Sequence, residues 1–229
     1  MIEAFRLGVF SRGSTLWDGL DFAFGDSSAW VVAAPPSSGK TLLLSILRGD
    51  RRPDAGNVVV SGESLYRGSD ALARAYRASC GHVQEQTIAD LRLTVEGLFR
   101  RSALAGGDVR DGERKERTDR LLAMVGLPGT SAWRIAEMSN SERVRAFLAA
   151  ELLRGPKVLF CDGVVAAAGI PCREMLWGLI RALAREGNTV VLAERTIPER
   201  WALAAGDGAS VGPFRVYRLP IPGTKGDPG

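Results

Sequence analysis

Ala34–Thr41 reads APPSSGKT; the apolar run Trp30-Val31-Val32-Ala33 precedes it and Leu42-Leu43-Leu44-Ser45-Ile46-Leu47 follows. A short apolar run, a Pro/Ser/Gly loop and an apolar run opening on Gly39-Lys40-Thr41 predict a buried strand, a tight loop and a helix. That is the layout of a phosphate-binding loop. Its backbone N–H groups and the positive end of the helix form an anion site. The layout sets Ser37, Ser38, Gly39, Lys40 and Thr41 against phosphate, with Lys40 reaching the outer phosphates and Thr41 holding Mg²⁺. A chance Gly-Lys-Thr would lack the flanking strand and helix. The pattern GxxxxGK[ST] asks for glycine at its first position, where this chain has Ala34.

A second apolar strand is predicted at Lys157–Cys161 (KVLFC), ending in Asp162. An aspartate there can hold Mg²⁺ through water opposite the loop threonine; otherwise it caps a turn. Between the two strands the pattern turns helical, from Thr94 to about Leu104 and from Asp111 to Val125. Ser139-Asn140-Ser141-Glu142 is a capping box that opens a further helix, with Val144, Phe147, Leu148 and Leu152 on one face. Leu176, Leu179, Ile180 and Leu183 mark another amphipathic helix, and Thr189–Ala193 (TVVLA) another buried strand. Met1–Phe24 alternates as strands do, with a turn at Ser11–Ser14, and Val211–Leu219 predicts an edge hairpin. The fold class expected is α/β: a P-loop NTPase core with a mostly parallel sheet, a β-rich N-terminal part and an inserted helical subdomain at about 94–154. One domain is expected over 1–219, with a flexible tail at 220–229.

The 229 residues are 45% hydrophobic and 24% charged, and no apolar run approaches membrane-span length. MIEAFRLGVF carries an early acidic residue and no small-residue cleavage site, so no leader is expected and the location expected is cytoplasmic. The net charge of +4 is mild, and Lys and Arg are interleaved with Asp and Glu, as in Arg110–Arg117. That is a solvated helix face, without the basic arm or aromatic platform a nucleic-acid partner needs. Cys80, Cys161 and Cys172 lack metal spacing and read as reduced, mostly buried thiols. The single histidine, His82, offers neither a metal cluster nor a catalytic pair.

With these motifs in order, the chain resembles the nucleotide-binding subunit of an ABC transporter from about Ile2 to about Leu219. SSGKTLLLSILRGDRRPDAGNVVVSGESL is similar to that family's Walker A segment and the turn and strand after it. Phe10 lies where the family places an aromatic that stacks on adenine. Leu93–Glu96 resembles the opening of the helical subdomain, and MSNSERVR at Met138–Arg145 stands in the place of the LSGGQ-type signature. The resemblance implies a head-to-tail homo- or heterodimer, each ATP lying between one subunit's loop and the other's signature helix. It implies an integral membrane partner subunit too, holding the chain on the inner face of a membrane. Ser139 would then contact phosphate across the dimer, or be a plain helix cap.

Several positions depart from the family. Ala34 and Ser37 replace loop glycines, and Pro36 removes one N–H donor. The expected Mg²⁺-sensing glutamine falls on Glu85, flanked by Gln84 and Gln86. The signature glycines are Asn140 and Ser141. The water-polarising glutamate is Gly163, the segment that should end in aspartate is Val165–Gly169, and the switch histidine is Arg195, preceded by Glu194. Lys40, Thr41 and Asp162 keep the means to hold Mg-ATP, while the hydrolytic groups are replaced. Losing a general base removes about 10²–10⁴ in rate. The expectation is an ATP-binding subunit with weak or no hydrolysis. The alternatives are a competent ATPase with a non-standard base, for which sequence places neither Glu85 nor Glu194, and a scaffold with a vestigial site. Arg195 is either a surface arginine or a fixed charge near the terminal phosphate.

Overall fold

Three apolar runs, Ala29–Ala33, Val158–Asp162 and Thr189–Glu194, form the centre of one sheet, because each buries side chains on both faces. A computed structural model of the chain describes residues 1–11, 14–85, 92–106, 111–197, 210–211 and 214–220. In chain order the elements begin with β1 (Ile2–Ser11), β2 (Ser14–Phe24), β3 (Ala29–Ala33), α1 (Lys40–Leu47), β4 (Ala55–Val60) and β5 (Glu63–Ser64). Next come α2 (Asp70–Ser79), β6 (Cys80–Gln84), α3 (Val95–Gly106), α4 (Asp111–Met124), a 3₁₀ turn at Ile135–Glu137 and α5 (Asn140–Leu153). The rest are β7 (Val158–Asp162), α6 (Val164–Ala167), α7 (Ile170–Arg185), β8 (Thr189–Glu194), β9 (Ser210–Val211) and β10 (Phe214–Arg218).

The main sheet has the order β6-β7-β8-β3-β10-β9, parallel except for β9, which runs antiparallel along β10 at the edge. A second, antiparallel sheet has the order β2-β1-β4-β5. The two layers meet through side chains that alternate along the parallel strands. Trp30, Val32, Phe160 and Val191 pack with the N-terminal sheet, α1 and Tyr76 of α2. Val31, Leu159, Cys161, Val190 and Leu192 pack on the other face with α3 to α7. Burial on both faces is why β3 and β8 read as continuous apolar runs rather than alternating ones.

The β-rich start, the helix opening on Lys40, the helices at Val95–Gly106 and Asp111–Met124 and the terminal hairpin stand where the sequence pattern puts them. The Ser11–Ser14 turn tip, Gln86 and residues 221–229 lie outside the described residues. The stretch Tyr66–Ser79 holds α2, capped by Ser69, whose Oγ accepts from Leu72 N. Through most of the segment Val165–Gly169 runs α6, entered at Gly163 and left at Ala168.

Register explains why the site forms where it does. Gln84 lies beside Asp162, Asp162 beside Ala193, and Ala33 beside Glu194. The carboxyl ends of four parallel strands therefore finish level, and the residues leaving them share one rim. Ligands of open α/β sheets bind at this rim.

Candidate nucleotide site

The loop after β3 is built around the positive end of α1. Gly39 enters the helix at φ 86°, and a Cβ there would lie 2.5 Å from Leu16 Cδ2 and 2.8 Å from Trp17 Nε1, so only glycine fits. Trp17 Nε1 donates to Ser38 O at 3.3 Å, which braces the loop from β2. Ser37, in place of a glycine, sits in the left-handed region at φ 63°. For a residue with a side chain that conformation costs about 1–2 kcal/mol. Ala34 is not among the residues with positive φ, so its methyl group is accommodated without that strain.

Lys40 is buried and curls back over its own loop, donating to Ala34 O and Pro35 O, each at 2.6 Å, with Ser38 Oγ 3.5 Å away. Burial lowers the pKa of its ammonium and the nearby Arg195 lowers it further, while Asp162 and Glu194 oppose the shift. Thr41 Oγ1 donates to Asp162 Oδ2, joining the first turn of α1 to the end of β7. A hydroxyl and a carboxylate in contact are hard oxygen donors of the kind Mg²⁺ takes.

Around this centre lies a cleft of about 820 Å³, lined by Ser37, Gly39, Lys40 and Thr41 from the loop and Glu85, Asp162, Gly163 and Arg195 from the strand ends. Lys40, Thr41, Asp162, Gly163 and Arg195 thus line one cleft. Ser38 faces inward, 1% exposed, and contributes from beneath the loop. Phe10 and Ser139 are not among the lining residues. Phe10 is exposed at 45% rather than part of the core, and its ring lies over Gly8. Ser139 caps α5 as expected: its Oγ accepts from Glu142 N at 3.3 Å, and its own N–H donates to Glu142 Oε2 at 2.8 Å. The Ser139 hydroxyl, which donates to Oε2 at 2.8 Å, and then the Ser139 N–H hold the Glu142 carboxyl below its usual range.

Two polar lining residues escaped the sequence reading. Ser45 follows Thr41 by four positions, one helical turn, and that spacing could have found it. Arg51 sits in the turn after α1, and no local signal marks it. His82 is not in this cleft; burial lowers its pKa to about 4, so it is neutral near pH 7. Cys80 and Cys161 are buried free thiols and Cys172 is half-buried.

A loop lysine over backbone carbonyls, a loop threonine on a strand-end aspartate, and strand ends level at one rim define a P-loop nucleotide site. Comparison with known proteins narrows the class. The ABC transporter profile matches residues 17–166. An Fe(3+) ions import ATP-binding protein of Rhodococcus jostii (strain RHA1) is 30% identical over 224 residues, covering 91% of this chain and 61% of the relative. A daunorubicin resistance ATP-binding protein of Streptomyces coeruleorubidus is 32% identical over 189 residues, covering 82% of this chain and 58% of the relative. This chain therefore spans about 60% of the length of these two relatives. A dimeric bacterial ABC transporter cassette has the same fold, with a TM-score of 0.77 at 20% identity over 86% of this chain and 88% of the other. The chain belongs to the ABC transporter family and has its ATP-binding cassette fold. Among the described residues no helix is long and apolar enough to cross a membrane.

Proposed function

We propose that this chain is the ATP-binding subunit of an ABC-type membrane transport complex, binding Mg-ATP with weak or no hydrolysis of its own. The carrying observation is the meeting of Lys40, Thr41 and Asp162 in one cleft where the residue after Asp162 is Gly163. In this reading the loop N–H groups and Lys40 hold the phosphates. Thr41 and Asp162 hold Mg²⁺, whose charge would offset that of the phosphates. Gly163 presents no carboxylate to an attacking water. Ser37, Ser38 and Gly39 shape the loop, and Phe10, exposed at the end of β1, is available to the base. Ser139 serves the phosphate of a facing subunit's nucleotide. One domain over 1–219 carries these groups.

Partners follow from family membership. The relatives are named for import and for drug resistance, and one solved cassette of this fold is dimeric. The chain would pair with a second ABC-type subunit, identical or not. It would sit on the cytoplasmic face of a membrane through an integral membrane partner, with no nucleic acid involved. Titration of the purified chain with a fluorescent ATP analogue and Mg²⁺ tests the reading. Lys40→Ala should weaken binding on the order of 10²–10³-fold. Equal binding by both proteins, or phosphate release by the chain alone at about 1 s⁻¹ or faster, would overturn it.

A further inference from the structure

Gly163 leaves a gap in the chemistry of this site but not in its space. At φ 68° its backbone is in the left-handed region, and a Cβ built on it would lie 3.0 Å from Glu85 Oε2 and 3.3 Å from Glu85 Cβ. The room beside position 163 is thus filled by the side chain of Glu85. Both backbones are fixed. Glu85 N–H donates to Asp162 O at 2.8 Å, extending the β6–β7 ladder by one residue, and Gly163 N–H donates to Ala193 O at 2.8 Å. A glycine at 163 is what lets a carboxylate from the neighbouring strand end lie there.

The other carboxylates near the cleft are engaged elsewhere. Asp162 accepts from the Thr41 hydroxyl. Glu194 is 2% exposed, does not line the cleft, and its Oε1 accepts from Val165 N at 2.9 Å. Among the described lining residues, Asp162 and Glu85 are the only carboxylates. Glu85 in turn has a partner at the mouth of the cleft: Arg195 Nη2 lies 3.5 Å from Glu85 Oε2. Of the three positions that depart from the family pattern, Glu85 therefore meets both of the others, Gly163 on one side and Arg195 on the other.

We propose that Glu85 is the water-activating carboxylate of this site, standing where Gly163 has no side chain, with Arg195 as the residue that positions it. This rests on the ATP-binding reading above and assigns what slow hydrolysis the chain has to a specific group. In the step, an oxygen of Glu85 takes a proton from water as the water oxygen bonds to the terminal phosphorus of ATP. The bond from that phosphorus to the bridging oxygen breaks, ADP leaves with the electron pair, and the proton on Glu85 returns to solvent with phosphate release.

The test combines nucleotide binding, turnover and a nucleotide-free readout on the full chain. Wild type should release phosphate from Mg-ATP above the Lys40→Ala background. Glu85→Gln should bind the fluorescent analogue like wild type and lose turnover by about 10²-fold or to that background. Arg195→Ala should lower turnover, and Arg195→Lys should recover part of it. Without nucleotide, Gly163→Ala should lower the melting temperature by roughly 2–4 °C less in a Glu85→Ala background than in wild type, because the contact is gone while the backbone strain remains. Wild-type turnover at background, unchanged turnover in Glu85→Gln or Arg195→Ala, or an equal melting-temperature loss in both backgrounds would overturn the assignment. Failure of wild type to bind the analogue would instead remove the ATP-binding reading, and this inference with it.

Discussion

Glu194 is buried at the end of β8, where Val165 N and Ala166 N donate to its carboxylate. Burial pushes its pKa up to about 7, the two N–H groups pull the other way, and Asp162 and Glu85 add to the rise. A carboxyl with a raised folded pKa binds its proton more tightly folded than unfolded. The stability it gives is fully present below the ordinary carboxylate range and is lost as pH rises toward about 7. Over that window the loss is on the order of 3 kcal/mol. Glu194→Gln should flatten melting temperature against pH between about 4.5 and 7; parallel curves for the two proteins would reject the assignment. Arg195 makes a second test at this scale. It lines the cleft and helps to lower the Lys40 pKa, as a cation close to the phosphate site must. Arg195→Ala should weaken ATP-analogue binding, and unchanged affinity would exclude a phosphate contact. Lys40, Thr41 and Asp162 were legible in the sequence because their chemistry follows from residue type at fixed spacing along strand and loop. The role of Glu85 was not legible. It depends on the cross-strand register of β6 and β7 and on the sign of φ at Gly163, and neither leaves a local pattern.

Helix α5 shows the same division between local and non-local information. Its start was legible because a capping box is written within four residues, and Ser139 and Glu142 make both reciprocal bonds. Ser139→Ala should cost about 1 kcal/mol, read as a melting-temperature drop of roughly 2–4 °C. Arg145, one turn further on, could not have been read as structural from its type. It is 8% exposed, and its Nη1 donates to Val125 O at 2.9 Å and Gly126 O at 3.0 Å, while its Nε donates to Ser141 O at 3.2 Å. The guanidinium thus closes the carboxyl end of α4 against the first turn of α5. Arg145→Met keeps the apolar stem but leaves those carbonyls without their donor, which should destabilise the chain by about 2–3 kcal/mol. Hydrogen exchange should speed up most at the α4–α5 junction; uniform acceleration over the whole chain would argue against a local clasp.

For the whole molecule, the apolar runs announced the strands of the main sheet, but not the order β6-β7-β8-β3-β10-β9, which is set by crossovers over distant segments. The consequence of that order is two cores back to back, sharing the same strands. In β7, Leu159 and Cys161 belong to the helical face and Phe160 to the face covered by the N-terminal sheet and α1. A strand cannot lose its packing on one face and keep its register on the other, so the two cores should melt together. Phe160, with none of its surface exposed, tests this directly. Phe160→Ala removes a fully buried ring and should cost about 3–5 kcal/mol, a fall in melting temperature of roughly 10 °C in a chain of this size. Because the strand is shared, calorimetry should still show one transition, shifted as a unit. The Lys40 loop leaves the end of β3 in the same sheet, so loss of ATP-analogue binding on heating should track that transition. Two separated transitions, with only one displaced by Phe160→Ala, would show that the N-terminal and helical layers unfold independently.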